Sequence, residues 1–245
     1  MTATIIHGPG LFSDTTYCGN FDALTEPGCT TLEIFLVDLD DVATFPHAYE
    51  YVKSDLVNVN QNEWSLALVV AIQLTKCRQE GHMIANGQLR DLAALVPTVY
   101  AESQQQINDV LHRLALFTHA LQEETLCTLH LSEVKEILGS CGLFFVYGGN
   151  STGVDRVQSA WSMATESADS HEIQAGNTSG VVALLSGVEG DMLLNESRAL
   201  EKLIDQQFEG LTRTFATSYG ATVVGSLQVT LLLATGREGI TFNAQ

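Results

Sequence analysis

Two carboxylates at the end of an apolar stretch are the first residues that suggest chemistry. Asp38 and Asp40 end the stretch that begins at Phe35, and Asp41 follows them. Alternate residues of a strand point to the same side, so both carboxylates are expected to face the same way. A pair of this kind suits a divalent cation such as Mg²⁺. The alternative is a group of acids at the carboxyl edge of a strand, which is common in α/β loops.

Two glycine-containing segments are predicted to follow strands, where anions can bind. Gly148-Gly-Asn-Ser-Thr-Gly153 is expected to open a helix, whose free N–H groups and dipole attract negative charge. His7-Gly-Pro-Gly10 has the same setting, although its proline removes one amide. Neither segment has the G-x-G-x-x-G spacing or the lysine of a Walker loop. Spacing alone therefore does not identify a nucleotide site.

Histidines and cysteines give no metal-binding pattern. His112 and His119 lie seven positions apart on one predicted helix, near Glu123, whereas a helical metal site uses positions i and i+4. We predict no metal site. The cysteines are odd in number and none forms a C-x-x-C pair, which favours reduced thiols and a cytoplasmic location. They are Cys18, Cys29, Cys77, Cys127 and Cys141.

The elements that must position these residues alternate along a chain of 245 residues, 45% of them hydrophobic. Short apolar runs predict strands, and apolar residues at spacings of three and four predict helices. The polar stretch from Tyr51 to Trp64 shows neither pattern and is predicted to be a loop. The order indicates an α/β chain in two layered units joined by a long central helix. The predicted strands are 3–6, 31–37, 66–72, 143–147, 181–185, 222–225 and 229–234, and the predicted helices are 103–121, 132–141, 153–165 and 195–208.

The net charge of −18 limits the partners of the chain. An acidic surface repels nucleic-acid backbones and anionic membranes, so neither is expected to bind. The sequence has no apolar run as long as a membrane span and no basic-then-apolar leader at its N-terminus.

Several segments taken together resemble the bacterial tubulin homologue FtsZ. The clearest is Leu131–Arg156, a helix, a strand and a glycine-rich turn, which shares Gly142, Gly148, Gly153, Asp155 and Arg156 with the family. Asn108-Asp-Val-Leu111 matches the part of the family's central helix that faces the guanine base. The likeness covers most of the chain from Thr31 to Gly236. It implies a truncated Rossmann-like N-terminal unit with the central helix at 1–122, and an FtsZ-like α+β domain at 123–245.

The same resemblance shows which family features are changed. The GGGTGTG-type loop that holds the phosphates would fall at 52–66, a stretch without glycine, and the first glycine loop is reduced to His7–Gly10. Gln104 stands where the family has an aromatic residue that stacks on guanine. His82 stands where the family has an arginine near the γ-phosphate. His130 replaces one of the two catalytic-loop acids, and Glu133 keeps the other. The family's membrane-anchor peptide has no counterpart, so no direct membrane anchor is expected.

These departures imply a pseudo-GTPase with no bound cofactor. Subunit contacts are expected at the loop 128–136, through His130, Glu133 and Glu136, and at the C-terminal sheet. The expected partners are the protein itself, a true FtsZ or another division protein.

Two other functions stay open. In the first, the chain is a nucleotide-dependent polymerising GTPase with a site rebuilt from Gly8, Gly10, Asp40, Asn108 and Asp109. In the second, Asp38–Asp41 resembles the opening motif of haloacid-dehalogenase-type phosphatases, which would make Asp38 the nucleophile and Asp40 the acid, with Mg²⁺ bound to both. That activity also needs a downstream lysine and a second acidic pair, for which Gly190-Asp191 is the candidate.

Overall fold

The computed structural model describes residues 2–7, 30–41, 43, 45–61, 65–74, 79–122, 125–139, 141–169, 178–220 and 223–236. The chain divides into two compact units. Among the described residues, the first contains those up to Asp109 and Gly139–Leu143, and the second contains Val110–Leu138 and Phe144–Gly236. The division falls inside the central helix, and the predicted boundary at 122/123 stays a prediction.

The first unit is a parallel sheet with crossover helices. Its elements are β1 (Thr2–His7), β2 (Thr30–Asp38), α1 (Phe45–Gln61), β3 (Ser65–Ile72), α2 (Gln79–Leu95), β4 (Thr98–Ala101) and the start of α3 (Gln104–Gln122). The strand order is β1-β2-β3-β4, and Thr98 of β4 pairs with Leu143. Residues 66–72 of β3 are all buried, as expected for a parallel strand that is covered on both faces.

The second unit is a mixed sheet with helices. It contains the rest of α3, α4 (Leu131–Leu138), most of β5 (Cys141–Thr152), α5 (Arg156–Asp169), β6 (Thr178–Ser186), α6 (Leu194–Gln207), β7 (Thr212–Ser218) and β8 (Ser226–Gly236). The strand order is β5-β8-β6-β7, in which β6 is parallel to β7 and antiparallel to β8. Trp161, Leu200 and Leu231 belong to its core. A Rossmann-like unit, a central helix and an α+β unit are therefore present, as predicted.

Six of the seven predicted strands and the central helix are confirmed. The prediction of a loop at 51–64 is wrong, because α1 continues to Gln61. Phe45, Val52 and Leu56 are buried in the core of the first unit, and Tyr49 packs partly against it. Their spacing of three and four residues makes one narrow apolar stripe, which the surrounding asparagines and glutamines obscure in the sequence.

Three further predictions need correction. Residues 223–225 form a turn instead of a strand, and the strand β7 lies earlier, at Thr212–Ser218. The helix α4 ends at Leu138, so Cys141 is the buried first residue of β5. β5 also continues to Thr152, through the glycines that were predicted to form a turn.

Candidate functional site

The turn after β2 is the first candidate site, because ligands of parallel α/β sheets bind at the carboxyl ends of the strands. Asp38 and Asp40 both lie there, as predicted. The Asp38 Oδ1 accepts a hydrogen bond from the Asp40 N–H at 2.8 Å. The Asp40 Oδ2 accepts one from the Leu74 N–H, beyond the end of β3, at 2.7 Å. Both carboxylates therefore hold the backbone of this edge in place.

Three backbone amides of the same turn, those of Leu39, Asp40 and Phe45, donate to protein acceptors. The Leu39 N–H donates to the Ile72 carbonyl at 2.8 Å, and the Phe45 N–H donates to the Asp41 carbonyl at 3.0 Å. Pro46, the second residue of α1, has no N–H. An anion at a helix N-terminus needs free N–H groups. The amides of Leu39, Asp40 and Phe45 are not free, and three acids, Asp38, Asp40 and Asp41, lie in the same turn.

The described residues of the segment 52–66, where the family's phosphate loop was expected, belong to a helix and a strand and do not form such a loop. Residues 52–61 belong to α1 and 65–66 to β3. Amides inside a helix donate to carbonyls four residues earlier and are not available to a phosphate.

The glycines at 148 and 149 lie within the strand β5, at close contacts with other elements, and not in a turn that opens a helix. A Cβ at Gly148 would overlap the guanidinium of Arg113, a buried residue of α3 whose Nη1 lies 3.5 Å from the Thr230 Oγ1. A Cβ at Gly149 would overlap the backbone carbonyl oxygen of Ala160 on α5. Only Gly153, with φ of 92°, lies in the turn before α5.

The residues of the predicted rebuilt nucleotide site are only partly described. Gly8 and Gly10 lie outside the described residues, and Asp40 accepts from Leu74 as stated above. Asn108 and Asp109 are exposed on α3, and the Asn108 Oδ1 accepts a hydrogen bond from the Gln104 Nε2 at 3.0 Å. This rebuilt site stays a prediction.

The predicted contact loop 128–136 leads into α4. The His130 carbonyl accepts from the Glu133 N–H at 3.1 Å, and the side chains of His130 and Glu136 are exposed. The Glu133 Oε2 accepts from the Thr214 Oγ1 on β7 at 2.9 Å. Four buried residues anchor the helix beneath them, namely Leu131, Val134, Ile137 and Leu138.

Glu133 also lines a groove of about 480 Å³ beside β7, the last strand of the sheet order. Arg213 of β7 lies in this groove, and its guanidinium pairs with Asp205 of α6 at 2.7 Å. The groove is lined by Thr128, Glu133, Glu201, Ile204, Asp205, Leu211, Arg213, Thr214 and Phe215. An edge strand beside a polar groove can take part in protein–protein contacts.

Arg156 forms an ion-pair network that the sequence did not predict. Its Nε donates to the Glu196 Oε1 at 2.7 Å, and its Nη1 donates to the Asp191 Oδ2 at 2.9 Å. The Gly225 N–H donates to the same Asp191 oxygen at 3.0 Å. The hydrogen bonds from Arg156 and Gly225 lower the pKa of Asp191 below its ordinary value of 3.8. Hydrogen bonding to Glu196 raises the pKa of Arg156.

This network also bears on the phosphatase hypothesis, because Asp191 is committed to Arg156 and Gly225. Within the described ranges, no group of three or more His, Cys, Asp or Glu residues is placed to hold a metal ion.

No helix in the part of the chain that the structure describes is long and apolar enough to cross a membrane.

The two units and the central helix have the fold of solved FtsZ and CetZ structures. An FtsZ mutant from M. jannaschii superposes with a TM-score of 0.70 at 15% identity, over 87% of this chain and 68% of that one. An empty FtsZ dimer from M. jannaschii superposes with a TM-score of 0.67 at 13% sequence identity, over 88% of this chain and 70% of that one. A GTPgS-bound protofilament of CetZ2 from Haloferax volcanii superposes with a TM-score of 0.60 at 12% sequence identity, over 84% of this chain and 65% of that one. No protein-family model and no curated protein matches the sequence.

At these identities the likeness concerns the fold alone. It confirms the resemblance to FtsZ and the fold class that were predicted from the sequence.

Proposed function

We propose that this chain is a non-catalytic FtsZ-like protein, a pseudo-GTPase, which acts through protein–protein contacts. It assembles with itself or modulates the filaments of a true FtsZ or another division protein, in cell division or related cytoskeletal organisation. The fold supports a cytoskeletal role, since the matched structures include a dimer and a protofilament. The observation that carries the proposal is the acidic turn after β2.

The electrostatics of that turn oppose a triphosphate. Phosphate cradles work because several unpaired amides converge on the anion and no like charge stands nearby. Here the amides of Leu39, Asp40 and Phe45 already have protein acceptors. A phosphate would have to displace those bonds while it approached Asp38 and Asp40. Loss of such a preorganised donor set lowers a hydrolysis rate by orders of magnitude.

The surfaces expected to make contacts are, by contrast, well formed. α4 is anchored by its buried apolar residues and keeps His130 and Glu136 exposed. The edge strand β7 exposes its first residues, Thr212 and Arg213, beside the groove. This arrangement supports a role in assembly that does not need nucleotide.

Calorimetric titration of the full-length chain with GTP and GDP in the presence of Mg²⁺ tests the proposal. We expect no binding at micromolar concentrations and no phosphate release, while a true FtsZ treated in parallel shows both. Sedimentation and electron microscopy should give the same assembly with and without GTP. Micromolar GTP binding accompanied by turnover would refute the pseudo-enzyme assignment.

The polymerising-GTPase alternative makes a separate prediction. If the rebuilt site exists, Asp109→Ala abolishes a GTP-stimulated assembly that the wild-type chain shows. Gln105→Ala, an exposed neighbour on α3, is the matched control and leaves that assembly unchanged. Under our proposal, wild type and both variants behave alike with and without GTP.

A further inference from the structure

Large apolar side chains are exposed on three loops of the second unit. Val154 lies between β5 and α5, Leu193 and Leu194 lie at the start of α6, and Val223 and Val224 lie between β7 and β8. All five are more than half exposed, and Val154 is 98% exposed. We call these five residues the apolar patch. Exposed apolar side chains gathered in this way mark interaction sites more often than isolated ones do.

The Arg156 network holds the three loops together. Arg156 follows the first loop, Asp191 belongs to the second, Glu196 lies in the first turn of α6, and Gly225 belongs to the third loop. Every residue of the patch lies within two positions of one of these bonded groups. The Leu193 N–H is also fixed, since it donates to the Glu196 Oε2 at 2.8 Å. A patch on loops that are already ordered loses little conformational entropy on binding.

The charge around the patch is negative and only partly neutralised. Asp155 and Glu189 are exposed beside it, and neither makes an ion pair with another described residue. The positive charge of Arg156 is taken up by two acids, Asp191 and Glu196. Arg198 on α6 offsets part of the remaining negative charge. The surface therefore combines apolar side chains with acids that can pair with a basic partner.

This combination discriminates between occupants. A second copy of the chain carries the same net charge of −18, and in a symmetric contact it would also bring the acids Asp155 and Glu189 of both copies together. Anionic lipid surfaces are repelled in the same way. We propose that the apolar patch docks a basic amphipathic segment of another protein, with apolar residues on one face and lysines or arginines beside them. The inference goes beyond the proposed function, because it concerns a different surface and requires no nucleotide chemistry.

The test uses the full-length chain and a labelled peptide probe. The probe is an amphipathic peptide of about 14 residues built from leucine and lysine, and the control probe has glutamate in place of lysine. Fluorescence anisotropy is measured at roughly 50 mM and roughly 300 mM salt. We expect the lysine probe to bind and to weaken at the higher salt concentration, and the glutamate probe not to bind.

Matched variants separate the patch from general acidity. Val223→Ser/Val224→Ser should weaken binding by about tenfold or more, because the patch would carry most of the binding free energy. Met163→Ser, which removes an exposed apolar side chain on α5, should leave binding unchanged. Circular dichroism confirms that each variant is folded.

A second pair of variants tests the acids. Asp155→Asn/Glu189→Gln should weaken binding and flatten its salt dependence, whereas the exposed pair Glu166→Gln/Glu209→Gln should do neither. The proposal would be overturned if all variants bound the lysine probe with the same affinity, or if all lost the same amount of affinity. Binding would then depend only on the overall charge of the chain.

Two further measurements can also overturn it. If the patch variant Val223→Ser/Val224→Ser changes the sedimentation coefficient of the chain by itself, a second copy occupies the patch. If wild type binds neutral phosphatidylcholine vesicles and the same variant does not, the occupant is a lipid surface. We expect unchanged sedimentation and no vesicle binding.

Discussion

The Arg156 network gives the most exacting test of the structure, through the substitution Arg156→Met. The guanidinium side chain is 8% exposed and makes hydrogen bonds of 2.7–3.0 Å to Asp191 and Glu196. Methionine fills similar space without the charge. Glu196, whose side chain is 12% exposed, would then keep a carboxylate with no cation beside it.

The expected loss follows from that burial. Removal of one partner of a buried ion pair costs about 3–5 kcal/mol, because the remaining charge stays desolvated. Asp191 is more exposed and can be hydrated, so we expect the lower end, about 3 kcal/mol. With a urea dependence of about 3 kcal/mol per molar, the unfolding midpoint falls by about 1 M.

Trp161 reports on the unit that contains the network. Its ring is 4% exposed, packs edge-on to Phe208 and donates from Nε1 to Gln207 at 3.0 Å. Urea unfolding is followed by its fluorescence in a Trp64→Phe background, which removes the other tryptophan. Arg213→Met is the matched control, because its ion pair with Asp205 is largely solvent-exposed and is expected to contribute less than about 1 kcal/mol. If both variants lose the same small amount, the network does not hold these loops.

Three further predictions concern single residues. The pKa of Asp191 is lower in the folded chain than its unfolded value of 3.8. Its contribution to stability is therefore present above pH 3.8 and is lost as the pH falls through the folded pKa. The difference in urea midpoint between wild type and Asp191→Asn should stay constant from about pH 7 to pH 5 and shrink below about pH 4. Gly149→Ala should destabilise the chain by about 2 kcal/mol in thermal unfolding, because the new Cβ would overlap a backbone carbonyl oxygen. Gly87→Ala on α2, where a Cβ would meet open space, should stabilise the chain by about 0.5–1 kcal/mol in the same measurement. Asp40→Ala should lower the free energy of unfolding by about 1 kcal/mol, because the hydrogen bond from the Leu74 N–H is lost. Neither this variant nor wild type should hydrolyse p-nitrophenyl phosphate with Mg²⁺. If wild type hydrolyses it and the variant does not, the result favours the phosphatase.

The strands were predictable where burial alone determines them. Residues 66–72 form one continuous apolar run, and a parallel strand covered on both faces needs such a run. β7 was missed because Thr212–Ser218 is an edge strand whose exposed half is polar. The helical part of 51–64 was missed because few apolar residues, chiefly Val52 and Leu56, mark its buried stripe.

The candidate site was predictable in its residues but not in its bonds. The acids at Asp38 and Asp40 are visible in the sequence, whereas their role depends on register. Asp38 pairs with Ile72 across β2 and β3, which brings Leu74 to Asp40. Likewise, Arg156 bonds to residues 35 and 40 positions away. Contacts over such distances follow from the packing of α6 and the loops and from no local pattern.

The acid-held turn after β2 has a consequence for how any filament of this protein would behave. If the chain binds no GTP, as we propose, its subunits carry no phosphoanhydride bond to hydrolyse, so the stability of a filament end would not change with the time since a subunit was added. Its length would be governed by mass action alone, with growth above one critical concentration and shrinkage below it. Disassembly in the cell would then depend on dilution, on degradation or on a protein that sequesters subunits.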